Sequence, residues 1–310
     1  MTTELTFPTF LLIGAAKSGT TALFDILTQH PQIYRPFIKE PKFFNDDDHY
    51  AKGMDWYAQT FFNKSAKFPV RGEATPHYLY WGNKTARRIK QTPGLENIRI
   101  IAIFRDPVKR AYSQYWMDVQ REIETLPFAA ALEQEETRLR ENRVELETKG
   151  LLKYGYFHGG LYATMLQPFL EVFPRDQIFL LLQDDLRLDF FHTMERLAVF
   201  LGLPAGFNFQ PLVSNPAYKP RSSRLHHFFL FPSGPIYKFS RRLLHLLPLS
   251  QRYRLRQRAV QVNLQATSYP PLDKGIEKKL RERYVDEVKK METIIGRDLN
   301  QWLVSADEHA

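Results

Sequence analysis

The sequence predicts an α/β fold: a central parallel β-sheet flanked by helices. Three short apolar runs carry that prediction, TFLLI at residues 9–13, IRIIAIF at 98–104 and QIFLLL at 177–182. Each precedes a segment with apolar residues at helical spacing, and strands alternating with helices build parallel sheets.

The first run ends at Gly14, and residues 21–29 then carry Leu23, Phe24, Ile26 and Leu27 at helical spacing. The second run ends in Arg105-Asp106-Pro107. Asp106 suits an N-cap and Pro107 a first helical position, so a helix is expected over 108–122. The third run leads into a helix over 189–201, and a long helix over 274–295 closes the chain after Pro270-Pro271. Glycine, proline and asparagine mark loops at 71–76, 150–160 and 208–220. No repeat and no linker divides the chain, so one domain, 1–310, is expected, with a basic helical segment at 221–270.

The chain has 310 residues and 44% hydrophobic content, enough for a sizeable core. It has no cysteine, which excludes disulfides and thiolate metal sites. The nine histidines show no metal-ligand spacing, so no metal is expected. No apolar stretch approaches the ~20 residues of a membrane span. The N-terminal apolar run lacks a basic leader and a cleavage site, so the expected localisation is cytoplasmic. The net charge is +9, with glutamates concentrated at 123–148 and no acid between Glu195 and Asp273. Such a basic surface suits polyanionic ligands or an anionic membrane, or is simply a solvated face.

The stretch GAAKSGT at 14–20 has the glycine spacing of a Walker A loop, but Thr20 stands where the lysine belongs. Lys17 instead precedes Gly19 by two residues. A strand feeding a glycine-bearing turn and a helix forms an anion site, because the first helical N–H groups lack partners and the helix dipole favours negative charge. Ser18, Thr20 and Thr21 add hydroxyl donors. A lysine in the turn itself can neutralise charge on a bridging oxygen as a bond breaks, without a metal.

Here a family resemblance appears. KSGTT at 17–21 resembles the 5′-phosphosulfate loop of sulfotransferases that use 3′-phosphoadenosine 5′-phosphosulfate (PAPS). KEPKFFNDDDHYAKGMDWY at 39–57 is similar to the segment after that loop in the heparan sulfate N- and 3-O-sulfotransferases. IFRDPVKRAYSQY at 103–115 resembles their 3′-phosphate-binding strand–loop–helix. The likeness covers about residues 9–205. It implies a P-loop-like sulfotransferase fold, PAPS as cofactor and adenosine 3′,5′-bisphosphate as product. It assigns Lys17, Ser18, Gly19, Thr20 and Thr21 to the phosphosulfate, Arg105 and Ser113 to the 3′-phosphate, and Glu40 to the catalytic base, with Phe43 and Phe44 packed beneath it; the residues alone read Glu40 as a surface glutamate paired with Lys39 or Lys42. YGYFHGGLY at 154–162 resembles the family's glycine–tyrosine turn, which puts Tyr162 and Gly160 near the nucleotide. SNPAYKPRSSR at 214–224 sits where the family has a basic loop, offering Lys219 or Arg221 to phosphate or adenine.

One position departs from the pattern. The family carries lysine after the glutamate of the segment GEATPHY at 72–78, and this chain has Ala74 there. His77 or Lys42 is the expected replacement charge, and His77 serves equally well as a structural hydrogen-bond donor. The expected acceptor is a small molecule or secondary metabolite; a glycan or a lipid also fits. Two other classes are weighed: a small-molecule kinase with a P-loop, and a non-catalytic polyanion-binding module. No nucleic acid partner is expected. The basic aromatic segment 228–249 reads as an amphipathic core helix, an acceptor-side lid or an interfacial membrane helix.

Overall fold

Five strands form one parallel sheet in the order β2-β3-β1-β4-β5. They are β1 (Phe10–Gly14), β2 (Ile33–Tyr34), β3 (Val70–Ala74), β4 (Arg99–Phe104) and β5 (Ile178–Leu182). The computed structural model describes residues 5–212, 217–222, 251, 262 and 264–304. β1 is buried along its whole length and β4 along all but its first residue, as expected of strands covered on both faces. Register is parallel throughout, with Leu12 opposite Ala74 on one side and Ile101 on the other.

The described helices are α1 (Thr20–Leu27), α2 (Asp47–Tyr50), α3 (Gly53–Tyr57), α4 (His77–Tyr80), α5 (Gly82–Lys90), α6 (Pro107–Gln120) and α7 (Phe128–Glu133). They continue with α8 (Glu135–Glu141), α9 (Arg143–Thr148), α10 (Tyr162–Val172), α11 (Asp185–Leu188), α12 (Phe190–Phe200) and α13 (Lys274–Ile295). Alternation along the strands makes two cores, one per face. Phe10 and Leu12 pack with Leu23, Phe24 and Leu27 of α1 and Leu197 of α12. Leu11 and Ile13 face the other way, toward a core with Tyr78, Leu166, Phe169, Tyr284 and Trp302. Among the described residues, no helix is long and apolar enough to cross a membrane.

The three long strands and the helices after them fall where the apolar periodicity places them. Asp106 caps α6 as expected, accepting from Val108 N at 2.8 Å and Lys109 N at 3.0 Å, with Pro107 at the first helical position. α13 spans the expected residues, starts at a capping Asp273 and stops at Gly296. The structure corrects two expected loops, and the one at 208–220 ends in strand over residues 217–220. Residues 70–74 are strand β3, where the reading placed a loop at 71–76. The strand's period is masked by Gly72, which is glycine because the Phe10 ring lies against it; a Cβ would come within 2.1 Å of that ring.

A second, two-stranded antiparallel sheet joins β6 (Ala217–Pro220) to β7 (Leu264–Thr267). Part of the segment expected to be helical, 221–270, is therefore strand; four residues are too few for periodicity to reveal it. The segment 228–249 lies outside the described residues, and so do its three candidate roles.

Candidate active site

The chain runs from β1 outward to β2 and β3, then crosses to β4 and β5 on β1's other side. That reversal opens a crevice at the carboxyl ends of β1 and its neighbours, the usual ligand position in open parallel sheets. The loop after β1, the residues after β3 and the residues after β4 all meet there.

The β1–α1 loop is pinned to the sheet by Ala15 N donating to Ile103 O at 2.8 Å. Lys17 and Gly19 have left-handed φ of 70° and 100°. A Cβ at Gly19 would also meet Gln183 Nε2, just after β5, at 3.3 Å. α1 begins without a side-chain cap and has no acidic residue in its first turn. Its free N–H groups are thus left to an anion.

Lys17 projects toward α6, where its ammonium lies 3.6 Å from Met117 Sδ. Ser113 stands one turn earlier on that helix, on the same side. Arg105 leaves the end of β4 and donates to Lys17 O at 3.5 Å. The structure therefore brings Lys17, Ser18, Gly19, Thr20, Thr21, Arg105 and Ser113 to one mouth of the sheet. Burial lowers the Lys17 ammonium from 10.5 to about 8. Arg121 and Arg105 push the same way, Asp118 opposes them, and Arg110 adds a smaller lowering. Burial also lowers Arg105 and raises Asp118 to about 6. A pocket that crowds cations and strips them of water is prepared for a polyanion.

Ser18 and Tyr162 are both buried. The Ser18 hydroxyl is fully buried and lies beside the Tyr162 phenol. Tyr162 is 1% exposed and its hydroxyl donates to Arg105 O at 2.8 Å. It therefore acts on the site through the backbone of Arg105. Asp106 supports the same corner, paired at 3.2 Å with the buried Arg281 of α13. Lys219 lies in β6, and its side chain falls outside the described residues; Arg221 follows, exposed.

Glu40 sits on a sharp bend, with left-handed φ of 58° at Glu40 and 55° at Lys42. Phe43 and Phe44 anchor the bend from below, fully buried and edge-to-face at 5.0 Å, with Phe43 stacked on Tyr57 at 4.4 Å. The Glu40 carboxylate lies 3.6 Å from the Lys39 ammonium, which also donates to Thr21 Oγ1. Lys39 thus links the start of α1 to the candidate base. The sequence offers Lys39 only as an ion-pair partner of Glu40, a pairing the structure shows, and gives it no role in the site.

At the end of β3, Glu73 is fully buried and accepts three hydroxyls: Tyr57 at 2.6 Å, Tyr78 at 2.7 Å and Thr75 at 2.7 Å. Burial raises it from 4.5 to about 7 against those hydrogen bonds, with Glu40 adding to the rise. His77 also differs from one expectation. Its Nδ1 lies 3.2 Å from Gly150 O, and desolvation, helped by nearby Lys42, lowers it to about 4. It is neutral at pH 7 and does not supply the charge missing at Ala74.

A family model of the sulfotransferase domain matches residues 7–219. The membrane-associated sulfotransferase kil1 of Dictyostelium discoideum is 42% identical over 118 residues, covering 37% of this chain and 24% of that protein. The bifunctional heparan sulfate N-deacetylase/N-sulfotransferase 3 of Homo sapiens is 30% identical over 222 residues, covering 68% of this chain and 24% of that protein. The chain thus spans about a quarter of the length of these two relatives. A crystal structure of a sulfotransferase from Alicyclobacillus acidocaldarius shares the fold, with a TM-score of 0.68 at 24% identity over 96% of this chain and 99% of that one. The chain belongs to the sulfotransferase domain family.

Proposed function

We propose that this protein transfers a sulfuryl group from PAPS to a hydroxyl or amine. The observation that carries the reading is the convergence of Lys17, Arg105 and the uncapped start of α1 at the carboxyl ends of β1 and β4. The donor set fits a nucleotide with two anionic ends: loop amides and Lys17 for one, Arg105 and Ser113 for the other. When bound, PAPS supplies an activated sulfuryl group on a phosphate leaving group.

The chain's own residues supply the rest. Glu40 takes the acceptor's proton, the bend at 40–42 aims its carboxylate, and Phe43 and Phe44 keep the bend from shifting. Lys17 and the loop N–H groups hold charge on the phosphate side. Arg105, fixed by Tyr162, orients the nucleotide, and orientation itself lowers the barrier. Two relatives are named for heparan sulfate chemistry, which supports a glycan hydroxyl or amine as the first acceptor to test. Ala74, where the resembled group has lysine, favours the second reading, a small-molecule acceptor.

The test is a mass-spectrometric screen of glycan, phenol and amine acceptors with PAPS, read as an added sulfuryl mass. A sulfated product formed with PAPS, and none formed when ATP and Mg²⁺ replace it, is expected. Phosphorylated product from ATP and Mg²⁺ would replace this reading with a kinase. Polyanion binding unaffected by Lys17→Ala, without turnover, would replace it with a binding module.

A further inference from the structure

The family pattern leaves one charge unassigned. Ala74 is buried and has none to give, and His77 is neutral at pH 7. The geometry points to Lys39 as the cation that meets the transferring sulfuryl group, filling the role of the family's lysine at position 74. This assignment rests on the sulfuryl-transfer reading above.

Lys39 Nζ donates to Thr21 Oγ1 in the first turn of α1, beside the anion loop. The same ammonium lies 3.6 Å from Glu40 Oε1. An acceptor must deliver its proton to Glu40, while the broken bond's oxygen must stay at the loop. Sulfur therefore has to pass between those two places, and Lys39 spans them. Its side chain is 20% exposed, so a ligand can reach it. An ammonium has three donors; Thr21 takes one and Glu40 lies beside the group as an ion-pair partner, which leaves a donor for a sulfuryl oxygen.

The electron balance gives the two lysines different work. The acceptor's lone pair forms the new bond to sulfur and its proton passes to Glu40. The electron pair of the broken sulfur–oxygen bond stays on the 5′-phosphate. Lys17, turned toward Met117, serves that departing oxygen. Lys39, on the acceptor side, serves the oxygens that travel with sulfur. Lys42 is the competing candidate, since it lies close enough to His77 to lower that imidazole.

Calorimetry without acceptor separates the possibilities, using adenosine 3′,5′-bisphosphate and PAPS as the two probes. Lys39→Met should bind the bisphosphate within about threefold of the parent. Its affinity for PAPS should fall about tenfold to a hundredfold, the scale of one charge-assisted hydrogen bond. Lys39→Arg should keep most of it, and Lys42→Met should resemble the parent. On the best acceptor from the screen, kcat should fall in Lys39→Met and recover largely in Lys39→Arg. Unchanged PAPS affinity in Lys39→Met, or the same loss in Lys42→Met instead, would overturn the assignment and leave the transfer reading standing. A parent protein that bound neither probe would sink both.

Discussion

Replacing Glu73 by glutamine should make the protein more stable at pH 8 than at pH 5, relative to the parent. The carboxyl is fully buried among the hydroxyls of Tyr57, Thr75 and Tyr78, with no cation beside it at position 74. Burial raises it to about 7 from an ordinary 4.5. Between those values the unfolded chain gives up its proton while the folded chain keeps it. Stability therefore falls as pH rises through that window and levels off above about 7. At about 1.4 kcal/mol per pH unit, the parent loses about 3 kcal/mol across the window. Glutamine cannot ionise, so the variant lacks this loss; any cost of rearranging the hydroxyls is the same at both pH values. Urea unfolding of parent and variant at pH 5 and pH 8 measures the difference of differences. A value of about 2 to 3 kcal/mol in favour of glutamine at the higher pH is expected. A difference independent of pH would refute the reasoning, and would mean that the three hydroxyls fully offset the burial.

Glu40→Gln should abolish transfer while changing the affinity for adenosine 3′,5′-bisphosphate by less than about threefold; equal loss of both by calorimetry and turnover would make Glu40 structural. Lys17 is charged below about pH 8 and neutral above, so the free protein's affinity for the bisphosphate should fall as pH rises from 7 to 9.5. Lys17→Ala should weaken binding at pH 7 and flatten that dependence, and an unaltered profile in the variant would contradict the role of Lys17.

Much of the frame was legible because long apolar runs have few alternatives. β4 and β5 are continuous hydrophobic segments, and Asp106-Pro107 announces its own helix start. β3 was hidden because VRGEA alternates only weakly, its inner positions Gly72 and Ala74 being too small to stand out; its strand character comes from pairing with β1 and from the Phe10 ring over Gly72. The anion loop was visible in its glycine spacing and its displaced lysine. Lys39 was not, because its importance lies in reaching Thr21, eighteen residues back along the chain. Tyr162 was placed near the nucleotide, yet the packing of α10 sets it one layer behind, against Arg105 O. Local sequence displays strands, caps and turns; it does not display which long side chain closes a gap between two loops.

The central claim is that this crevice recognises a nucleotide by both a 5′- and a 3′-phosphate. Titrating adenosine 3′,5′-bisphosphate and AMP into the purified protein tests it most directly. The bisphosphate should bind at least tenfold more tightly, and Arg105→Met should erase most of that preference. Equal affinity for the two nucleotides, or no heat from either, would contradict the account.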